Sequence, residues 1–218
     1  MGYGHPVCRG IGSRNLDGAV PLTNMLLGEM IFGGLGTGIY SILMVALLGL
    51  FLTGLMIGRT PEYLGKRIGP SEMKLLAIYT LIGPVGVLTL AAIAVVTGPG
   101  LAGLTTNSGP HGLTEILYAY TSSFANNGQI FGGLSVNSLF YNGMTVAAML
   151  LGRFGLAIPA LAFAGLFAWQ QSRPMTHGKL KTDSLLFASV VVGTALIVVA
   201  LTYLPVLALG PIIESLRL

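Results

Sequence analysis

The fold depends on residues 118–129, which read Tyr118-Ala119-Tyr120-Thr121-Ser122-Ser123-Phe124-Ala125-Asn126-Asn127-Gly128-Gln129. A mildly apolar stretch typical of a short helix leads here into a polar turn with a glycine, and long apolar segments flank both sides. Irregular backbone inside a bilayer is tolerated only where protein buries it or where it lines a water-filled cavity. We therefore predict a re-entrant segment, in which a half-helix enters the membrane and the turn offers its peptide oxygens to a dehydrated cation. The alternative is an ordinary surface turn, because Asn-Gly is a common turn pair.

The composition excludes a soluble protein. Of the 218 residues, 53% are hydrophobic and only 8% are charged, with a mean hydropathy of +0.81, whereas soluble domains carry about 25% charged residues. The sequence therefore predicts an all-α, multi-pass membrane protein with the lipid bilayer as its surroundings. The net charge of +4 includes no basic run dense enough to bind nucleic acid. Cys8 is the only cysteine, which excludes an intrachain disulfide.

Four segments are long and apolar enough to cross a bilayer, for which a helix needs about 20 residues. They are Ile39–Ile57, Leu75–Thr97, Leu139–Trp169 and Leu185–Leu209, the last with Pro205 near its outer end and followed by a short tail, Gly210–Leu218, expected outside the membrane. Leu113–Ala125 is too short for a span and suits a re-entrant half-helix. We thus predict about four transmembrane segments plus one re-entrant pore helix and loop.

Basic residues are concentrated in two polar loops. The first, residues 58–74, carries Arg59, Lys66, Arg67 and Lys74, and the second, residues 170–183, carries Arg173, Lys179 and Lys181. The positive-inside rule assigns both loops to the cytoplasm. Two spans and the short segment Leu113–Ala125 lie between these loops. Both loops fall on one side only when the short segment enters and leaves from the outer face, which independently supports the re-entrant loop. In the first loop, Pro70-Ser71-Glu72 is typical of a helix start.

A glycine-rich break precedes the first full span. Residues 19–57 are apolar but too long for one span. Their middle contains several glycines, each of which weakens a helix by up to ~1 kcal/mol. These candidate break residues are Gly33, Gly34, Gly36 and Gly38. Glu29 lies at the break, where an intramembrane carboxylate is a functional candidate; the alternative is an interfacial glutamate that is solvated or caps the broken helix.

The sequence also predicts how the half-helix begins, how its dipole is directed and how the turn follows it. We expect Gly112 or Thr114 to cap it, with Glu115 in the first turn and His111 solvated in the preceding outer loop. The negative end of the helix dipole then points to the membrane centre, where a cation would lose its water. Gly128 permits the left-handed backbone that turns successive carbonyls to one side.

Arg153 is the second charge expected inside the membrane. It lies in Gly152-Arg153-Phe154-Gly155, near the middle of the third span. An arginine at that depth costs at least ~2.5 kcal/mol and must face a partner or water. Glu29 is a candidate partner, and a tether between helices with no part in transport is the alternative.

Seven motifs in order resemble one family. They are Gly28-Glu29-x-x-Phe32-Gly33-Gly34-x-Gly36-x-Gly38, Gly58-Arg59-Thr60-Pro61-Glu62-Tyr63-Leu64-Gly65-Lys66, Asn107-x-Gly109-Pro110-His111-Gly112, Ala125-Asn126-Asn127-Gly128, Leu134-Ser135-x-Asn137-Ser138, Gly152-Arg153-Phe154-Gly155 and Leu207-Ala208-Leu209-Gly210-Pro211. From about residue 17 onward the chain resembles the potassium-binding A subunit of the Kdp potassium-transporting ATPase. That family belongs to the potassium transporters built from four helix–pore loop–helix repeats.

The resemblance implies that this chain is the C-terminal part of such a subunit, with an incomplete set of repeats. The implied divisions are an unmatched lead-in (1–17), the broken helix of repeat three with its cytoplasmic loop (18–74), repeat four with its helix, pore loop and helix (75–169), and a cytoplasmic loop with the final transmembrane helix (170–218). The implied site residues are the filter loop Ala125, Asn126, Asn127 and Gly128, with potassium on the carbonyls of Asn126, Asn127 and Gly128; the gate or helix break Gly33, Gly34, Gly36 and Gly38; and the charged ion path Glu29, Arg59 and Arg153.

The resemblance also implies the cellular setting. Potassium would be the cargo, and the partners would be an ATP-hydrolysing B subunit and small accessory subunits in a bacterial or archaeal plasma membrane. The chain carries no P-type phosphorylation site and no phosphate-cradling Gly-Lys-Ser/Thr loop, so we expect no catalytic residue and no ATP on it. The lead-in does not match the family, because Arg9 stands where the filter loop of repeat three is expected.

Three alternatives remain from the sequence. The first is a Trk- or Ktr-type potassium channel subunit, which shares the repeat but lacks the loop Gly58–Lys66. The second is an intramembrane hydrolase that uses Glu29 with a histidine, although none of His5, His111 and His177 is predicted at membrane depth. The third is a non-functional fragment, because one filter loop of four cannot close a ring.

Overall fold

The structure is a computed structural model that describes residues 16–28, 38–58, 61–106, 109–171 and 184–216. Nearly all of its regular elements are helices. In chain order they are α1 (Leu16–Gly28), α2 (Gly38–Ile57), β1 (Glu62–Tyr63), β2 (Lys66–Arg67), α3 (Pro70–Val96), α4 (Gly98–Leu101), α5 (Pro110–Phe124), α6 (Leu139–Leu150), a π-helical turn (Leu151–Gly155), α7 (Leu156–Trp169) and α8 (Leu185–Leu216). The all-α membrane class predicted from the sequence is confirmed.

Four helical segments of the described chain are long and apolar enough to cross a membrane. They are Ile39–Met56, Pro70–Val96, Leu139–Trp169 and Leu185–Leu209. The third is continuous through α6, the π-helical turn and α7. The four spans predicted from hydropathy are therefore confirmed, and α5 is not among them. The glycine break is predicted between α1 and α2, where residues 29–37 lie outside the described residues.

The first polar loop contains a short hairpin and the start of α3. β1 and β2 pair antiparallel around Leu64 and Gly65, whose φ angles of 49° and 76° belong to a type I′ turn. The helix start predicted at Pro70 is confirmed, since Pro70 takes the first position and Glu72 Oε2 accepts a hydrogen bond from Gly69 N (3.1 Å). Glu72 Oε1 also accepts from Gln170 Nε2, which joins the start of α3 to the end of α7.

The predicted start of α5 is wrong, and α8 extends beyond the predicted span Leu185–Leu209. α5 begins at Pro110 with Gly109 as its N-cap, so Gly112 and Thr114 are not caps, Glu115 lies beyond the first turn, and His111 is helical. The sequence prediction began the helix at the first apolar residue and overlooked that proline is favourable at a first helical position. α8 continues to Leu216, so most of the expected tail is helical. Its prolines do not end it, because neighbouring groups in membrane helices re-satisfy the backbone that proline frees.

The core of the described chain surrounds α5. Helices α3, α6, α8 and α1 all contact it. Every residue from Glu115 to Phe124 is buried, although Thr121, Ser122 and Ser123 are polar. A half-helix enclosed in this way satisfies the condition for interrupted structure at membrane depth, since protein buries it.

Candidate cation-coordinating loop

The inner end of α5 lies at the mid-height of two spans. The Phe124 ring packs on Gly83 and Gly86 of α3, and the Phe124 carbonyl touches Gly152 in the π-helical turn. Gly83 comes 13 residues after Pro70 in a 27-residue helix, a distance of about 20 Å at 1.5 Å per residue. The π-helical turn occupies the middle of the 31-residue third span. The tip of α5 therefore lies deep between spans.

The chain before α5 and the chain after it, which we call the two limbs of this segment, meet near the end of α3. Leu104 and Leu134 form an isolated antiparallel bridge, and Thr105 N donates to Gly133 O (2.8 Å). Tyr141 Oη, near the start of α6, donates to Gly100 O in α4 (2.7 Å). The chain between α3 and α6 thus enters and leaves on the same side, as a re-entrant segment does.

A Schellman motif ends α5. Asn126 N donates to Ser123 O (3.0 Å), and Asn127 N donates to Ser122 O (2.9 Å). Asn126 takes the left-handed conformation that this motif requires, with a φ of 57°. The motif satisfies the last helical carbonyls from within the chain and turns the backbone sharply after Ala125.

The turn that follows carries a row of four consecutive peptide oxygens, those of residues 125–128. Among the residues that the structure describes, no hydrogen-bond donor reaches the carbonyls of Ala125, Asn126, Asn127 or Gly128. Gly128 has a φ of 78°, as expected from the sequence. This row follows the C-terminus of α5, where the helix dipole is negative. Unpaired carbonyls at the negative end of a buried helix can coordinate an alkali cation.

Aromatic and polar contacts hold the return limb. Phe131 is buried against the Tyr118 ring, with centroids 4.1 Å apart. Tyr118 Oη donates to Gln129 Oε1 (3.2 Å). Ser138 Oγ then caps α6 by accepting from Tyr141 N (3.2 Å). The loop is therefore tied to α5 on one side and to α6 on the other.

Glu115 is a buried carboxylate in the part of α5 far from its tip. It is only 1% exposed, and its carboxylate lies against Gly133, where a Cβ atom would be 2.5 Å from Oε1. Gly133 is also the residue whose carbonyl accepts from Thr105. Glu115 thus packs where the two limbs meet, a place that the sequence prediction did not assign to it.

The remaining predicted site residues are only partly described. Arg153 lies in the π-helical turn and is exposed on the surface of the described chain. Gly38 is the first residue of α2. Glu29, Arg59, Gly33, Gly34 and Gly36 lie outside the described residues, so the Glu29–Arg153 pairing stays a prediction.

Sequence reasoning missed two features of the site. The first is Asn126 in the left-handed conformation. The Asn-Asn-Gly run could have indicated it, because asparagine tolerates this conformation better than most residue types other than glycine. The second is the approach of Gly152 to the Phe124 backbone. No local pattern indicates that contact, since a π-helical turn has no sequence signature of its own.

Comparison with known proteins identifies the family. The family model described as potassium-transporting ATPase A subunit matches residues 12–216. Relatives named potassium-transporting ATPase potassium-binding subunit are similar over 93% of this chain: that of Polynucleobacter asymbioticus is 52% identical over 34% of its own length, that of Burkholderia mallei 53% over 34%, and that of Pseudomonas aeruginosa 51% over 36%. This chain therefore spans about a third of the length of these relatives. The match confirms the resemblance and favours it over the Trk- or Ktr-type alternative. The chain belongs to the family of potassium-transporting ATPase A subunits.

Proposed function

We propose that this chain supplies one cation-coordinating loop to an ATP-driven potassium uptake complex. The peptide oxygens of Asn126, Asn127 and Gly128 would replace part of the hydration shell of potassium. One observation carries the proposal: a row of carbonyls without hydrogen-bond donors, among the described residues, follows the buried C-terminus of α5 at the mid-height of two spans. The relatives are named potassium-binding subunits, which agrees with this cargo.

The electrostatics of α5 favour a cation over an anion at this point. The backbone dipoles of a helix leave partial negative charge at its C-terminus. In a water-poor site this charge acts more strongly than it would in solvent. The loop performs no bond chemistry in this proposal, and ATP hydrolysis would belong to a B subunit.

The ion path and its gate are further parts of the proposal. Gly33, Gly34, Gly36 and Gly38 would form a gate or helix break beneath the filter. Glu29, Arg59 and Arg153 would set the charge along the path. Support for Arg153 comes from its position: it is exposed at the middle of a span, where a charge facing lipid costs at least ~2.5 kcal/mol. That surface is better suited to protein, water or the ion path than to lipid.

The setting follows from the same reasoning. A multi-pass protein of this family would act in the plasma membrane of a bacterium or archaeon with the B subunit and small accessory subunits. One filter loop is a quarter of a four-loop ring, so the remaining loops must come from chain outside this sequence or from separate polypeptides.

Replacement of Gly128 by alanine tests the proposed coordination. Gly128 has no neighbour within 4 Å, so an added methyl group meets nothing in the described chain and acts only through the φ of 78°. A left-handed residue with a side chain costs roughly 1–2 kcal/mol. We expect Gly128→Ala to raise the potassium concentration for half-maximal transport by about tenfold in the complete transporter that carries this chain.

The matched control is Gly143→Ala, because Gly143 also has open space around it but lies in α6. We expect its potassium dependence to be unchanged. An unchanged potassium dependence in Gly128→Ala, in protein that is fully assembled, would contradict the coordination.

A flux measurement tests whether the chain needs partners. We expect liposomes that contain only this polypeptide to show no selective potassium flux, because one loop cannot surround an ion. Selective flux from the isolated chain would contradict the four-loop requirement. Stable co-purification with the ATP-hydrolysing subunit would exclude a non-functional fragment.

A further inference from the structure

Three glycines form a seat for Phe124, the last helical residue of α5. A Cβ atom on Gly83 would lie 3.6 Å from the Phe124 ring, and one on Gly86 would lie 3.3 Å from it. A Cβ atom on Gly152 would lie 1.9 Å from Phe124 O and 2.8 Å from its carbonyl carbon. We call Gly83, Gly86 and Gly152 the Phe124 seat.

The three contacts differ in kind. The ring can shift by a few tenths of an ångström when a neighbour grows, but the backbone at Phe124 cannot, because the Schellman motif holds the residues on both sides of it. Gly152 is therefore the one member of the seat whose size limits the position of the α5 backbone. No side chain fits there without displacing the end of α5 or the π-helical turn.

The Phe124 carbonyl is held from two sides. Gly152 touches it from the third span, and Asn126 Nδ2 donates to it (3.2 Å) from the loop. It is also the last carbonyl before the row at residues 125–128. Because the peptide plane after Phe124 sets the direction in which the chain leaves the helix, its orientation propagates into the row.

The π-helical turn provides the other half of the contact. Single π turns inside α-helices are frequently found at functional sites. Here the turn covers Leu151–Gly155, at the height of the tip of α5, and Gly152 is buried within it. The continuous third span thus departs from α-helical geometry where it meets the loop.

We propose that Gly152 is a positioning residue for cation selectivity, acting through the carbonyl of Phe124 on the spacing of the peptide oxygens at residues 125–128. This inference rests on the proposed function of the loop. It goes further by assigning the discrimination between alkali cations of different size to a contact between the third span and α5. Neither a hydrogen bond nor a charge of Gly152 is involved; the contact depends on the absence of a side chain.

The test is Gly152→Ala in the complete transporter, with Gly143→Ala and Gly165→Ala as controls from the same span. Both control glycines have no neighbour within 4 Å in the described chain. The measurements are the apparent KM for potassium, the maximal rate, and the ratio of potassium to rubidium transport. We expect Gly152→Ala to raise the KM and lower the ratio, each by about tenfold, because a misplacement of ~1 Å costs up to about a hundredfold in a positioned site. The controls should keep the wild-type ratio.

A second variant keeps the inference testable if Gly152→Ala does not assemble. Phe124→Leu removes the ring from the seat without adding volume, so the backbone is held less firmly, and we expect the ratio of potassium to rubidium transport to fall. A lower maximal rate with an unchanged KM and ratio, in either variant, would overturn the positioning role while leaving the proposed function intact. A wild-type transporter without potassium dependence would instead overturn the proposed function.

Discussion

Two buried tyrosines show how differently the same residue can contribute to stability. Tyr120 in α5 and Tyr141 in α6 are fully buried and stack with centroids 6.2 Å apart. Tyr141 Oη donates to Gly100 O, whereas Tyr120 Oη has no hydrogen-bond partner among the described residues. A buried polar group without a partner costs free energy, and a paired one contributes a modest gain.

Phenylalanine substitutions test this difference. We expect Tyr141→Phe to lower the free energy of unfolding by about 0.5–1.5 kcal/mol, because it removes the 2.7 Å hydrogen bond at Gly100 O, which keeps only the longer one from Gly103 N (3.4 Å). Tyr120→Phe should be neutral or stabilising, since it removes a hydroxyl that lacks a partner. The measurement is thermal unfolding of the purified chain in detergent. A larger loss from Tyr120→Phe than from Tyr141→Phe would contradict the hydrogen bonding described here.

At the scale of elements, Glu72 connects the ends of two spans, the start of α3 and the end of α7. It is 7% exposed and accepts from Gly69 N at the start of α3 and from Gln170 Nε2 just after α7. The first bond satisfies one of the backbone donors that a helix start leaves open. The second bond joins the start of α3 to the end of α7. Glu72 thus joins the two spans that carry the Phe124 seat, at the end of each span away from α4.

Removal of this connection has a measurable cost. We expect Glu72→Ala to destabilise the chain by about 1–3 kcal/mol through the loss of two partly buried hydrogen bonds. Ser71→Ala is the matched control, because Ser71 lies in the same turn and is exposed. Thermal unfolding of both variants in detergent decides the point. Equal midpoints for the two variants would show that Glu72 does not join the helices.

At the scale of the whole molecule, the charge of the loops and the re-entrant segment define one topology. The hairpin loop and the loop after α7 are basic, and the segment between α3 and α6 enters and leaves at the opposite end of α3. With the positive-inside rule, these features predict that residues 61–69 and residues 170–171 lie on one side of the membrane. The chain near Thr106 is then expected on the other side.

Cysteine labelling tests this topology in a Cys8→Ser background. The exposed residues Leu64 and Gln171 represent the two basic loops, and the exposed Thr106 represents the outer limb. We expect an impermeant thiol reagent to label Leu64→Cys and Gln171→Cys only from the cytoplasmic side and Thr106→Cys only from outside. Labelling of Leu64→Cys and Gln171→Cys from opposite sides would mean that residues 110–124 cross the membrane.

Much of this architecture follows from local sequence properties. Hydropathy located the four spans because a bilayer demands about 20 apolar residues per helix, whatever the neighbours are. The short apolar stretch before Asn126 and the basic loops were sufficient to predict the re-entrant segment. The start of α3 was readable from Pro70 and Glu72 because a helix cap involves only adjacent residues.

The sequence by itself determined the membrane class, the spans, the family and the residues of the candidate filter loop, since these depend on composition and on motifs a few residues long. Only the tertiary structure decided that Gly152 meets the backbone of Phe124, that Asn126 closes a Schellman motif, and that Glu115 packs against Gly133. The physical reason is that close packing joins residues far apart in the chain. Which two backbones approach within contact distance depends on how the helices fill space around α5, and no pattern within one helix contains that information.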